Sequence, residues 1–162
     1  MFYDKILRKW IESDNVEDLL NKFLPKFVYC SLRLDNINTT FENIKINKVD
    51  KAVKSYMDFC SSVLKLDSNI EVNANDALQS VSRFYCSSYY FLGGRISRML
   101  VNHALIANNL PPIIFFYNDK EEHDLSLHNI EKMVGFLDKQ AYKTWVKDYN
   151  MKSKTLNYFL DK

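Results

Sequence analysis

The chain has 162 residues, enough for one domain with a substantial core, and 47% of them are hydrophobic against 26% charged, an ordinary balance for a soluble globular protein. A formal net charge of +2 gives no electrostatic basis for a nucleic-acid or membrane partner, and ten Tyr and eleven Phe against three Gly and three Pro favour packed helices over a turn-rich sandwich. Cys30, Cys60 and Cys86 are odd in number and lack C-x-x-C spacing, which argues against a disulfide framework or a zinc site and for buried thiols in a reducing compartment.

Phe2, Ile6, Leu7 and Trp10 recur at helical spacing and predict a short amphipathic helix. Asp14 or Asn15 is the expected cap of a second helix carrying Val16, Leu19, Leu20 and Phe23, which Pro25 should end. Phe27-Val28-Tyr29-Cys30 then reads as a separate helix from Lys26 to about Leu34, and Thr39-Thr40-Phe41-Glu42 as a capped restart. Val49 to Leu66 is the clearest central helix, with Val53, Met57, Phe59, Val63 and Leu64 offered to the core and Asp67-Ser68-Asn69 as its break. Asn75 or Asp76 starts a helix through Leu78, Val81, Phe84 and Tyr85. Beyond Gly93-Gly94 the most apolar helix runs from Ile96 to Ile106, stopped by Asn108-Asn109 and Pro111-Pro112.

Ile113-Ile114-Phe115-Phe116 reads as either a short strand or an extended segment. Asn118 caps a helix beginning Asp119-Lys120-Glu121-Glu122, and a last amphipathic helix carries Met133, Phe136, Leu137, Tyr142 and Trp145. His103 falls inside an apolar helix as a core or edge residue, while His123 and His128 are expected on a solvated helix; the three supply no metal-binding set. Met1-Phe2-Tyr3-Asp4-Lys5 lacks the apolar run of a signal peptide, and no segment reaches membrane-spanning length. The expectation is an all-α single domain over 1–162, bacterial and cytoplasmic, or exported without a cleaved signal.

Chemistry concentrates in Ser87-Ser88-Tyr89-Tyr90-Phe91-Leu92-Gly93-Gly94-Arg95-Ile96-Ser97-Arg98. A Gly-Gly turn feeding a helix N-terminus exposes backbone N–H groups at the positive end of the helix dipole. Arg95 and Arg98, three apart, add two cations on one face of the first turn. The pattern suits a phosphate held by Gly93, Gly94, Arg95 and Arg98. The same residues read equally as a tight interhelical turn whose arginines pair with Asp35 or another acid, and Asp35-Asn36 as a helix C-cap.

The order of these parts resembles the Fic (filamentation induced by cAMP) family, whose pattern H-P-F-x-D/E-G-N-G-R-x-x-R lies on a loop joining two antiparallel central helices. Gly94, Arg95 and Arg98 match, and Tyr89 stands for the Phe that plugs the loop into the core. Ser87 occupies the position of the family's base histidine, Ser88 that of the proline, and Leu92 and Gly93 replace Gly and Asn. Phe91 stands where a carboxylate holds Mg²⁺, and its ring is expected to fill part of the pocket. Asn109-Leu110-Pro111-Pro112 and the acidic start at Asp119 are similar to the elements that follow the motif in that family. Ser31-Leu32-Arg33-Leu34-Asp35-Asn36 resembles its inhibitory pattern, with Ser31, Asp35 and Asn36 at the marked positions and Asp for Glu. In the family that acid pairs with the second motif arginine and blocks the γ-phosphate site, which implies a pair between Asp35 and Arg98. Between Asp67 and Asn75 there is little room for the family's β-hairpin flap. The resemblance is strongest over 27–150.

Family members mostly transfer AMP from ATP to hydroxyl side chains. A serine hydroxyl is no base near pH 7, and a phenyl ring cannot coordinate a hard cation. The resemblance therefore implies a pseudoenzyme without a catalytic residue or a Mg²⁺ site, acting by binding ATP, another nucleotide or a protein partner. Two alternatives stand beside it. One is a nucleotidyl- or other phosphate-donor transferase with an altered motif and a base from elsewhere; the other is a small helical protein-interaction module.

Overall fold

A computed structural model describes residues 1–45, 51–63 and 73–146, and among them the chain is all-helical, without a strand. In order come α1 (Phe2–Ile11), α2 (Val16–Leu34), α3 (Phe41–Lys45), α4 (Lys51–Val63), α5 (Ala74–Leu92), α6 (Gly94–Ala107), one turn of 3-10 helix (Tyr117–Asp119), α7 (Lys120–Ser126) and α8 (Ile130–Trp145). α5 packs against both α6 and α8, and α8 also carries α1. No described helix is long and apolar enough to cross a membrane.

The core follows from helical periodicity. α1 buries Tyr3, Ile6 and Trp10 on one face, while Phe2 remains 45% exposed. Its first N–H groups are capped from another helix: Asp138 of α8 accepts from Phe2 at 3.1 Å and from Tyr3 at 2.8 Å. Trp10 meets Trp145 edge-on at 5.4 Å and Phe23 stacks over Trp145 at 6.0 Å, so α1, α2 and α8 share one aromatic centre.

Pro25 does not end the second helix; α2 runs unbroken from Val16 to Leu34 with the proline inside it. An interior proline costs about 3 kcal/mol, and burial of Leu19, Phe23, Phe27 and Cys30 on either side of it outweighs that penalty. The central helix is described from Lys51 to Val63, burying Val53, Tyr56 and Cys60, whereas Phe59 is 45% exposed. Val49, Leu64 to Leu66, the predicted break at Asp67 and the short span expected in place of a flap, as far as residue 72, lie outside the described residues. α5 starts earlier than expected, because Asn73 is its cap and accepts the Asp76 N–H at 2.9 Å. α7 is preceded by a 3-10 turn, so Asp119 rather than Asn118 stands at its N-cap.

Residues 110–116 are buried without regular secondary structure, and among the described residues no strand pairs with them. Side chains do the work of a neighbouring strand. Asn102 accepts from Ile113 N–H at 2.8 Å and donates to the Ile113 carbonyl at 2.9 Å, Thr144 accepts from Ile114 at 3.0 Å, and Gln140 from Phe116 at 2.8 Å. The hydroxyl of Tyr3 and the indole of Trp145 donate to the carbonyls of Pro111 and Pro112, each at 2.7 Å.

Candidate functional site

The motif does not form an open loop. α5 continues to Leu92, so Ser87, Ser88 and Phe91 lie in its last turns, and Gly93 alone separates it from α6. Near this junction the two helices fold back on each other, with Ser88 Oγ donating to Ser97 Oγ at 2.9 Å. Gly93 has φ +81° and ψ 155°, a region that side chains with a Cβ essentially avoid. Its N–H donates to the Tyr89 carbonyl at 3.1 Å, so that N–H caps α5 and is not offered to an anion. Gly94 is required for space rather than for conformation. A Cβ there would stand 2.6 Å from Arg98 Nη1, 2.8 Å from the Tyr89 ring and 3.2 Å from Asp35 Oδ1.

Phe91 does not fill the pocket; it is 89% exposed. The extra helical turn explains why, since Phe84, Ser87 and Phe91 share the outward face of α5 while Tyr85 and Ser88 face inward. Ser87 Oγ donates to its own helix, to the carbonyls of Arg83 at 2.8 Å and Phe84 at 3.0 Å. Tyr89 is half-buried against the Tyr85 ring at 5.7 Å.

Arg98 is fully buried and held on every side. Nε donates to Ser31 Oγ at 2.7 Å, Nη2 to the Ser31 carbonyl at 3.0 Å, and Nη1 to the Tyr85 hydroxyl at 3.3 Å. Nη2 also pairs with Asp35 Oδ2 at 2.7 Å, the pair that the motif order implied. Tyr56 closes the shell by donating to Ser31 Oγ at 2.8 Å. Burial pulls the guanidinium pKa down, but Tyr85, Asp35 and Tyr56 more than offset it, and the net shift is upward.

Asp35 is simultaneously the C-cap of α2. Asn36 follows with φ 61°, its N–H bonds the Arg33 carbonyl at 3.0 Å, and Ile37 N–H bonds the Leu32 carbonyl at 2.9 Å, a Schellman stop. The C-cap reading and the arginine-pair reading of Asp35-Asn36 therefore both describe the structure. Arg95 reaches the same Asp35 oxygen from the solvent side, with Nε at 3.5 Å and its side chain 46% exposed.

A cleft of about 580 Å³ opens over this joint. Asp35, Gly94 and Arg95 form its polar corner, and Ile37, Leu92 and Met99 are among its apolar walls. The first N–H groups of α6, which begins at Gly94, have no intrahelical acceptor. Arg98 spends its donors on Ser31, Asp35 and Tyr85, so among the described residues Arg95 and that helix end are the cationic and N–H groups that face the cleft. The chain matches no known family model, no curated protein and no solved structure.

His123 is not solvated but fully enclosed. Its Nε2 lies 2.7 Å from the Tyr85 hydroxyl and its Nδ1 2.8 Å from Asp124 Oδ1. Burial holds the imidazole below its ordinary pKa despite the hydrogen bond to Asp124. His123 and Ser126 form the buried face of α7, with buried Leu127 at its C-cap, a spacing legible in the sequence but obscured by the acids around it. His128 is exposed, its ring stacked with Tyr90 at 6.2 Å, and His103 is half-buried in α6. Cys30 and Cys60 are buried and Cys86 is half-buried; burial pushes the Cys60 thiol up to about 12, which suits an inert thiol. No cluster of three or more metal-ligating side chains occurs among the described residues.

Proposed function

We propose that this chain is a Fic-like pseudoenzyme that binds a phosphate-bearing ligand, ATP or another nucleotide, in the cleft at the start of α6. The observation that carries this reading is Arg95, a half-exposed guanidinium beside the Gly94 end of α6 whose partner is a carboxylate 3.5 Å away. A phosphate would replace Asp35 as that partner and would gain the first N–H groups of the helix. Asp35, already held by Arg98 at 2.7 Å, then acts as a resident counter-charge that weakens anion binding. Binding rather than transfer is supported by the side chains at hand: among the described residues that line the cleft, Asp35 alone carries a carboxylate and none is a histidine. Ser87 is turned back onto α5.

Calorimetric titration with ATP and with pyrophosphate, with and without Mg²⁺, tests the reading on wild type, Asp35→Asn and Arg95→Ala. Removing the Asp35 charge should tighten binding about tenfold, equal to about 1.4 kcal/mol, and Arg95→Ala should remove it. No heat with either ligand in wild type and Asp35→Asn alike would end the proposal. A protein-docking role is the second reading, favoured by exposed Tyr90, Phe91, Leu92 and Ile96 around the junction.

A further inference from the structure

We infer that His123 is an acid-operated latch on the buried joint of α5, α6 and α7, keeping Arg98 seated behind the cleft only while its imidazole is neutral. The direction of the hydrogen bonds requires it. A guanidinium has donors and no acceptor, so the Tyr85 oxygen accepts from Arg98 Nη1; the Asp124 carboxylate can only accept, so in the neutral ring Nδ1 carries the proton and the Tyr85 hydroxyl donates to His123 Nε2 at 2.7 Å. Nε2 is then bare, and Nδ1 donates to Asp124 Oδ1 at 2.8 Å. One row of donors thus runs from Arg98 through Tyr85 and His123 to Asp124.

Protonating Nε2 places two donors face to face. The Tyr85 hydroxyl would have to accept from both Arg98 and His123 and turn its own hydrogen into an enclosed site. An imidazolium would also stand one phenol oxygen away from a fully buried guanidinium.

The surroundings give a net preference for the neutral ring. α5 contributes the Tyr85 and Tyr89 rings and α8 the Phe136 ring, each with its centroid 5.7 Å from that of the imidazole. α6 contributes Arg98, backed by Asp35 of α2. On α7, Asp124 favours the charged ring, but it is shared with Lys120 at 2.8 Å. The Lys139–Glu122 pair between α8 and α7, at 2.6 Å, is exposed.

The sign follows from linkage. With the native imidazole held below its ordinary range, the unfolded chain takes up this proton first as pH falls past about 6.5. The contribution of His123 is therefore complete above that pH and is lost below it, down to the native value.

Urea unfolding of the full chain between pH 7.5 and 5, compared with His123→Gln, measures the effect. The glutamine oxygen can still accept from Tyr85 but cannot titrate. Below about pH 6.5 the wild-type folding constant should fall up to about tenfold more per pH unit than that of the variant. Imidazole ¹⁵N spectra should show the Nδ1–H tautomer at pH 7.5, and the Arg98 Nε–H should exchange faster at pH 5.5 in wild type than in the variant. A native imidazole titrating at 6.5 or above, an Nε2–H tautomer, parallel pH curves, or Arg98 exchange indifferent to His123 would each overturn the latch. If His123→Gln does not fold, the wild-type tautomer and titration decide it.

Discussion

Replacing the chain's three glycines by alanine, one at a time, should destabilise at two positions and stabilise at the third, for three different reasons. At Gly94 the new methyl would lie 2.6 Å from Arg98 Nη1 and 2.8 Å from the Tyr89 ring. Tyr89 is half-buried against the Tyr85 and His123 rings, and Arg98 is fixed by Ser31, Asp35 and Tyr85, so the strain falls on the guanidinium shell. Overpacking of this kind costs about 1–3 kcal/mol, and the gain from alanine in a helix, at most about 1 kcal/mol, offsets part of it. The net loss should be about 1–2 kcal/mol, and for a domain of this size each kcal/mol lowers Tm by about 2–4 °C. Gly93→Ala meets no atom within 4 Å, yet its φ of +81° predicts a loss of comparable size from backbone strain alone, about 1–3 kcal/mol. Gly135, inside α8 and also clear of contacts, should gain about 0.5–1 kcal/mol on the same change. Urea and thermal unfolding of the three variants reads the order directly. Gly94→Ala as stable as wild type, or Gly135→Ala less stable, would refute the packing argument.

Asn102→Ala should cost about 2–6 kcal/mol, because it orphans both the N–H and the carbonyl of buried Ile113 at about 1–3 kcal/mol each; urea midpoints at constant m-value check this. Asp119 predicts an acid limb. Burial alone would raise its carboxyl, but hydrogen bonds from Lys143 and Gln140, with the lysine charges, hold it below its ordinary value. Its contribution is complete above the unfolded value of about 4 and is lost as pH falls through the lower native value, so Asp119→Asn should flatten stability against pH below about 4.

Helix existence was legible because burial on this scaffold is periodic: Tyr3, Ile6 and Trp10 in α1, and Met133, Phe136, Leu137 and Trp145 in α8, fall on single faces. What escaped the reading was settled at long range. Pro25 is tolerated because tertiary packing outweighs a local penalty, and the 110–116 segment is satisfied by side chains as far away in sequence as Tyr3, 108 residues from Pro111. The Asp35–Arg98 pair left no trace in periodicity and was reached only through the order of motifs. Phe91 and His123 were misplaced for one reason, an error of helical phase: α5 runs a turn further than a loop motif allows, and α7 buries a residue flanked by acids.

The motif residues now divide by what the fold itself requires of them. Gly93 is demanded by its φ, Gly94 by the room it leaves for Arg98, and Arg98 and Asp35 by the buried contact between α2 and α6. None of these requires Arg95, whose 3.5 Å contact is made by a side chain 46% exposed. Surface pairs of this kind contribute about 0–1 kcal/mol, so Arg95→Ala should leave unfolding nearly unchanged while removing phosphate binding. Arg98→Ala, by contrast, breaks a buried pair and should cost about 3–5 kcal/mol. Parallel unfolding and pyrophosphate titrations separate the two roles. If Arg95→Ala destabilised the fold by more than about 1 kcal/mol, that arginine would be a strut like Arg98, and the cleft would have lost its anchor for a ligand.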